Sequence, residues 1–162
     1  MHQAVQQFVE RMGLMLEADG MPRIAGRIFG FLLVNAEAYS LDELARQLQV
    51  SKASVSTNAR LLEQLGIVEQ IAVPGDRRDY YRMGPDAWER MLRTAQRKWE
   101  SMRQILSSAE ESLPLDMAVG RERLLQAESF HLLLHQEAEQ LIVRWRQQAQ
   151  VKRSVRASKP AA

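Results

Sequence analysis

Two short stretches hold the residues whose types and spacing could do chemistry. The first, "SKASVSTNARLLEQLG" from Ser51 to Gly66, opens with small hydroxyl residues and turns leucine-rich only in its second half. On a helical wheel of about 100° per residue, Val55, Asn58, Ala59, Leu62 and Leu65 gather on one side. Lys52, Ala53, Ser56, Thr57, Arg60 and Gln64 gather on the other. Short side chains around two long cations suit a helix pressed against an anionic, hydrogen-bonding surface. The DNA major groove is such a surface: it admits one helix, and side chains near the N-terminus of that helix reach the base edges. The free N–H groups of the first turn favour phosphate. Ser51, Lys52, Ser54, Ser56, Thr57 and Arg60 are therefore expected to read or position the groove. A serine-rich helix start is also a common solvated cap, so this stretch gains its meaning from its neighbours.

The second stretch, "VPGDRRDYYRM", puts Asp76, Arg77 and Arg78 at a turn between two strand-like runs. Arginine there can enter a narrow minor groove, where negative potential concentrates. Arg77, Arg78 and Arg82 could equally serve as edge charges that stop sheet-to-sheet aggregation, and the two roles are compatible. Asp76 and Asp79 lower the local charge while offering arginine partners, which favours an orienting role over a plain basic patch.

Other chemistries find little support. With no cysteine in 162 residues there is no disulfide framework, thiolate metal site or cysteine nucleophile, and a reducing cytoplasm fits best. P-loop, GxGxxG, GxSxG and HExxH patterns are missing, so no enzyme is expected and no cofactor or metal is called for. His131 and His135, beside Glu128 and Glu139, form a stripe that could bind zinc or sense pH, but a packed histidine that fixes register is the commoner outcome. Trp88 and Trp99 lie three turns apart on one helical pattern, where ordinary core is the plainer reading.

The elements that must position these residues follow from the same pattern. Val5, Phe8, Met12, Met15 and Leu16 give a first helix, ended by "EADGMP". A second runs from about Pro22 to Ala36, with Gly26 and Gly30 on one face for close packing. Ser40 and Glu43 have capping-box spacing at the start of "SLDELARQLQV". A tight turn leads to the Ser51 helix, which Gly66 stops. "IVEQIAV" alternates as a strand, and "RRDYYRM" returns it. Helix, tight turn, helix and basic-tipped hairpin is the winged helix-turn-helix order. Beyond it, Trp88, Leu92, Ala95, Trp99, Met102, Leu106 and Ala109 mark one heptad seam. Leu124, Ala127, His131, Leu134, Ala138, Leu141 and Trp145 mark another. This is more apolar surface than a small winged domain can cover, so a second copy is expected, an intramolecular helical hairpin being the alternative. The N-terminus has no signal-peptide pattern, and the longest apolar run, "IFGFLLV", is far short of the roughly 20 residues needed to span a bilayer. A net charge of +2 hints only mildly at an anionic partner.

"MPRIAGRIFGFLLV", "SLDELARQLQVSKASVSTNARLLEQLGIVEQ" and "VPGDRRDYY" together resemble the MarR-type regulators, and within them the GbsR-type branch. The resemblance covers Met21 to Tyr81 and implies a dimeric DNA-binding repressor. In that family an aspartate two residues before an arginine holds it at the wing tip, and Asp76 and Arg78 match the pair. It also implies a small-molecule effector, with choline or a related osmolyte-pathway compound suggested by the branch; Trp88 and Trp99 are then the candidates for its site, in a cage of ring faces that Tyr39, Tyr80 or Tyr81 would have to complete. "RMGPDAW" departs from the usual Leu-Thr start of the next helix, so that junction is expected to differ.

The expected fold is mainly α with a small β-hairpin: a winged helix-turn-helix domain plus long dimerising helices. Residues 1–20 would be an N-terminal dimerisation helix, 21–84 the DNA-binding domain, 85–150 the helical dimerisation region and 151–162 a mobile basic tail. The expected function is a cytoplasmic, homodimeric, sequence-specific transcription regulator on double-stranded DNA with a pseudo-palindromic operator. A winged protein-interaction module without DNA binding is the alternative.

Overall fold

Ser40 and Glu43 close the capping box that their spacing requires. The Glu43 backbone N–H donates to Ser40 Oγ at 3.3 Å, and the Ser40 N–H donates to Glu43 Oε2 at 2.8 Å. Two orphan donors are thereby satisfied where the helix begins. The computed structural model describes residues 2–157, with side chains as far as Ala149. It holds six helices and three short strands among those residues: α1 (Gln3–Ala18), α2 (Arg23–Val34), β1 (Tyr39–Ser40), α3 (Leu41–Leu48), α4 (Lys52–Gln64), β2 (Glu69–Ile71), β3 (Tyr80–Arg82), α5 (Ala87–Ser112) and α6 (Ala118–Ala157). As far as Met91 the chain makes one unit, and from Leu92 it makes a second.

The first unit closes a core of its own. Val9 of α1, Ile28 and Leu32 of α2, Leu44 and Leu48 of α3, and Val55, Ala59 and Leu62 of α4 are almost wholly buried together with Val68 and Tyr81. α1 lies very close to α2. A Cβ on Gly26 would stand 2.5 Å from the Met12 carbonyl oxygen and 2.8 Å from Gly13 Cα, so only glycine fits there. Arg27 ties the pair to the helix-turn-helix: its Nε lies 2.8 Å from a Glu10 carboxylate oxygen, and its guanidinium donates to the Leu48 carbonyl at 2.8 Å.

α4 ends at a left-handed glycine. With Gly66 at φ +75°, the Ile67 N–H reaches the Leu62 carbonyl at 3.0 Å and the Gly66 N–H reaches that of Glu63 at 2.8 Å. This paired closure needs a residue without a Cβ penalty. The chain then forms β2 and β3, which pair antiparallel with Ile71 opposite Tyr80. β1, which the sequence did not announce, adds to the other side of β3 with Ser40 opposite Tyr80, giving the order β1-β3-β2.

The second unit is a pair of helices. Gln96 donates to the His135 carbonyl at 3.1 Å, Arg103 to Glu128 at 3.0 Å, and Arg121 lies 2.5 Å from Glu110. Advancing along α5 therefore means retreating along α6, and the two run antiparallel. Two features differ from the sequence expectation. Ile142 is buried while Leu141, assigned to the seam, is half exposed. A straight helix at about 3.6 residues per turn drifts away from a 3.5-residue seam, and Leu124 to Ile142 is five such turns. The helix also continues through residues 151–157, part of the expected mobile tail; the rest of that tail, 158–162, lies outside the described residues.

Candidate nucleic-acid interface

Ser51 caps α4 as a helix start requires: its Oγ accepts from the Ser54 N–H at 3.2 Å. That satisfies one of the donors the first turn leaves without a partner in the helix. Lys52, Ala53, Thr57, Arg60 and Gln64 are exposed along one face, Ser54 and Ser56 half-buried, and Val55, Asn58, Ala59 and Leu62 buried on the other. Asn58 is the polar member of the buried side. Its Nδ2 donates to the Ser54 carbonyl at 2.8 Å, while its Oδ1 has no hydrogen-bond partner among the described residues.

The cations of this face are held. Lys52 Nζ lies 2.9 Å from Asp42 Oδ2, linking the first turn of α4 to α3 through an exposed pair. Arg60 acts on Tyr81 of β3. Burial pushes the Tyr81 phenol above its usual value, Glu63 and Asp79 push it further, and the Arg60 guanidinium opposes them. The foot of α4 and the central strand thus share one charge cluster.

At the wing tip, Gly75 turns the chain at φ +82°, and Asp76 then receives Arg78 repeatedly. The Arg78 backbone N–H donates to Asp76 Oδ1 at 2.9 Å, Nε to Oδ2 at 2.9 Å and the terminal guanidinium nitrogen to Oδ2 at 2.5 Å. The same nitrogen donates to the Tyr80 hydroxyl at 2.5 Å, and that hydroxyl donates to Asp76 Oδ2 at 2.8 Å. Arg78 bonds, from its side chain and then its backbone, hold the Asp76 carboxyl far below the usual carboxylate range, with the Tyr80 hydroxyl adding to them. Arg77 and Arg78 line a groove with Glu63 at the end of α4 and Gln70 of β2.

Arg82 belongs to different chemistry. It bonds Glu69 Oε1 at 2.7 Å, and Arg90 of α5 bonds the other oxygen of the same carboxylate. Burial raises the Glu69 carboxyl, but the two arginines outweigh it and hold it below its usual value. A Cβ on Gly84 would stand 2.8 Å from both Glu69 and Arg90, so the glycine of "RMGPDAW" makes room for this bridge. Gly84 thus lies at a specific joint between strand and helix.

The remaining candidates are placed as follows. Trp88 packs edge-on against Phe29, with ring centroids 6.2 Å apart, and Tyr39 does so against Phe31 at 4.9 Å. Tyr80 is engaged at the wing and Tyr81 is core, while Trp99 is half-buried in the second unit. His131 Nδ1 lies 2.8 Å from the Ala127 carbonyl within its own helix, and His135 faces a polar groove with Gln96, Glu100 and Glu139. Sequence reasoning missed Tyr80 as a partner of Arg78 and Glu69 as the joint. Arg78 lies in the loop ahead of β3, so no strand alternation pointed to Tyr80.

The MarR family pattern matches residues 19–79. A crystal structure of a transcriptional regulator is 32% identical, with 89% of this chain and 99% of that chain aligned at a TM-score of 0.80. The HTH-type transcriptional regulator MmpR5 of Mycobacterium tuberculosis is 47% identical over 85 residues, 52% of this chain and 52% of that protein. The HTH-type transcriptional repressor GbsR of Bacillus subtilis is a more distant relative, 26% identical over 71% of this chain and 63% of its own length. The chain spans about half the length of MmpR5 and under two thirds of GbsR.

Proposed function

The chain belongs to the MarR family, and from that premise we propose that it is a sequence-specific DNA-binding transcription regulator, acting in the cytoplasm as a two-fold homodimer and as a repressor. The observation that carries the reading is the exposed face of α4, where Lys52, Thr57 and Arg60 stand clear of a fully buried inner face, with Arg77 and Arg78 on the wing beside it. α4 would enter the major groove. Ser51, Lys52, Ser54, Ser56, Thr57 and Arg60 would read or position it, and the wing, with Arg78 oriented by Asp76 and Arg77 beside it, would serve the adjacent minor groove. No catalytic step is part of this reading.

Two copies would present two such helices to a pseudo-palindrome with half-sites roughly 10 base pairs apart. Half-exposed Leu14 and Met15 on α1 and Ile105, Phe130 and Leu133 on the long helices are surfaces a second copy would cover. An operator selected from random duplexes, then titrated with the wild type and an Arg60→Ala, Arg78→Ala double variant, tests the proposal. Arg60→Ala should cost about 1–3 kcal/mol of specific binding if Arg60 contacts a base. Unchanged affinity in a folded double variant would overturn the assignment. Effector response is tested by titrating choline, glycine betaine and hydrophobic anions while tryptophan emission and operator release are followed. An effector must bind the free form more tightly than the DNA-bound form.

A further inference from the structure

The wing arginine is held by more than its carboxylate, and this inference rests on the DNA-binding reading above. We propose that Tyr80 is a positioning residue for Arg78, fixing the guanidinium at the wing tip through a closed three-membered set of bonds among Asp76, Arg78 and the Tyr80 hydroxyl. Each member touches both others: Arg78 donates to Asp76 and to Tyr80, and Tyr80 donates to Asp76. The guanidinium carbon also lies 5.3 Å from the Tyr80 ring centroid, within cation–π range.

The two anchors of Arg78 differ in stiffness. Asp76 sits in the loop between β2 and β3 and would move with the wing tip. Tyr80 is only 9% exposed and occupies the central strand, paired with Ile71 of β2 on one side and Ser40 of β1 on the other. Ser40 is itself wholly buried and caps α3. The Tyr80 hydroxyl therefore refers Arg78 to the rigid sheet and, one pair away, to the start of the helix-turn-helix. Asp76 alone would hold Arg78 to the loop and leave the loop free. A guanidinium tied to the sheet as well as to the loop loses less freedom when it enters a groove, because ordering it beforehand removes part of the cost of binding.

Tyr80→Phe keeps the buried ring and removes only the hydroxyl, so the test is a double-mutant cycle on the selected operator with full-length protein. Tyr80→Phe should weaken specific binding by about three- to tenfold, in the range of the net contribution of one ordinary hydrogen bond, and have no further effect in an Arg78→Ala background. Combined with Arg60→Ala, its effect should multiply instead. An equal loss with and without Arg78, or no loss at all, would overturn the proposal. A second measurement needs no DNA: nuclear magnetic resonance of the Arg78 side chain should show guanidinium rotation that is slow in the wild type and faster in Tyr80→Phe. Equal rotation in the two proteins would overturn it even where operator affinity falls. Wild-type protein that binds no duplex with sequence preference would sink the regulator reading itself, whereas the rotation would still report whether the clamp exists.

Discussion

The two units of this chain answer the same hydrophobic demand differently. In the first, helices of only 8 to 16 residues bury Leu44, Leu48, Val55 and Leu62 completely, so the unit stands on contacts within its own chain. In the second, α5 and the 40-residue α6 bury Ala138 and Ile142 but leave Ile105 64% and Phe130 58% exposed. Helix length is thus a poor guide to self-sufficiency. A short capped helix in a closed core can be complete, while a long amphipathic helix is complete only when its apolar faces are covered.

The contrast can be broken most sharply in the core. Leu62→Ala should cost about 2–5 kcal/mol, and the loss should be independent of protein concentration; a thermal or denaturant titration at two concentrations checks both points. Gly26→Ala should follow at about 1–3 kcal/mol, since the added methyl meets backbone rather than a flexible side chain, with calorimetry as the measurement. Phe130→Ser with Leu133→Ser should leave the first unit folded and act on assembly. Sedimentation should show dimers dissociating at least about tenfold more readily, the scale of one lost interface anchor per copy.

Acid should weaken the first unit through carboxylates that the fold holds in their charged form. Glu43, held down by its bonds to Ser40, Glu69, held down by Arg82 and Arg90 against its burial, and Asp76, held down chiefly by Arg78, all have carboxyls below their usual values. Their contribution is present above the unfolded carboxylate range near pH 4 and is lost as pH falls through the lower folded values. Melting temperature followed by circular dichroism should be flat from pH 7 to about 5 and decline below about 4. Smallest of all, Gly120→Ala in α6 meets its nearest atom at an ordinary 3.5 Å and should be neutral or stabilise by under about 1 kcal/mol.

What the sequence made legible was local and one-dimensional. Ser40 with Glu43, Ser51 and Gly66 announce helix ends because caps involve neighbours along the chain, whereas the pairing of Asp76 with Arg78 came from the resemblance to the MarR-type wing. β1 was hidden because two residues, Tyr39 and Ser40, are too few to show alternation; only their pairing with β3 defines them. The Glu69 bridge joins residues 13 and 21 positions apart, a separation no periodicity encodes. The inward turn of Ile142 in place of Leu141 came from phase drift that accumulates over a long helix and vanishes in a short one.

The residue joining α3 to α4 carries a consequence for mutational tolerance. α1 and α4 both end on glycines with positive φ, Gly20 and Gly66, whereas α3 ends on Gln49 at φ +54° with the same backbone closure onto Ala45 and Arg46. A non-glycine residue in the left-handed region costs roughly 1–2 kcal/mol relative to the right-handed one. In a library of all substitutions, position 49 should therefore invert the usual ranking: glycine and asparagine would be enriched over the resident glutamine, and valine and isoleucine would be the most depleted. Its neighbour Leu48, wholly buried, should show the opposite order. Two adjacent positions in one turn would thus record, in variant frequencies alone, where backbone geometry gives way to packing.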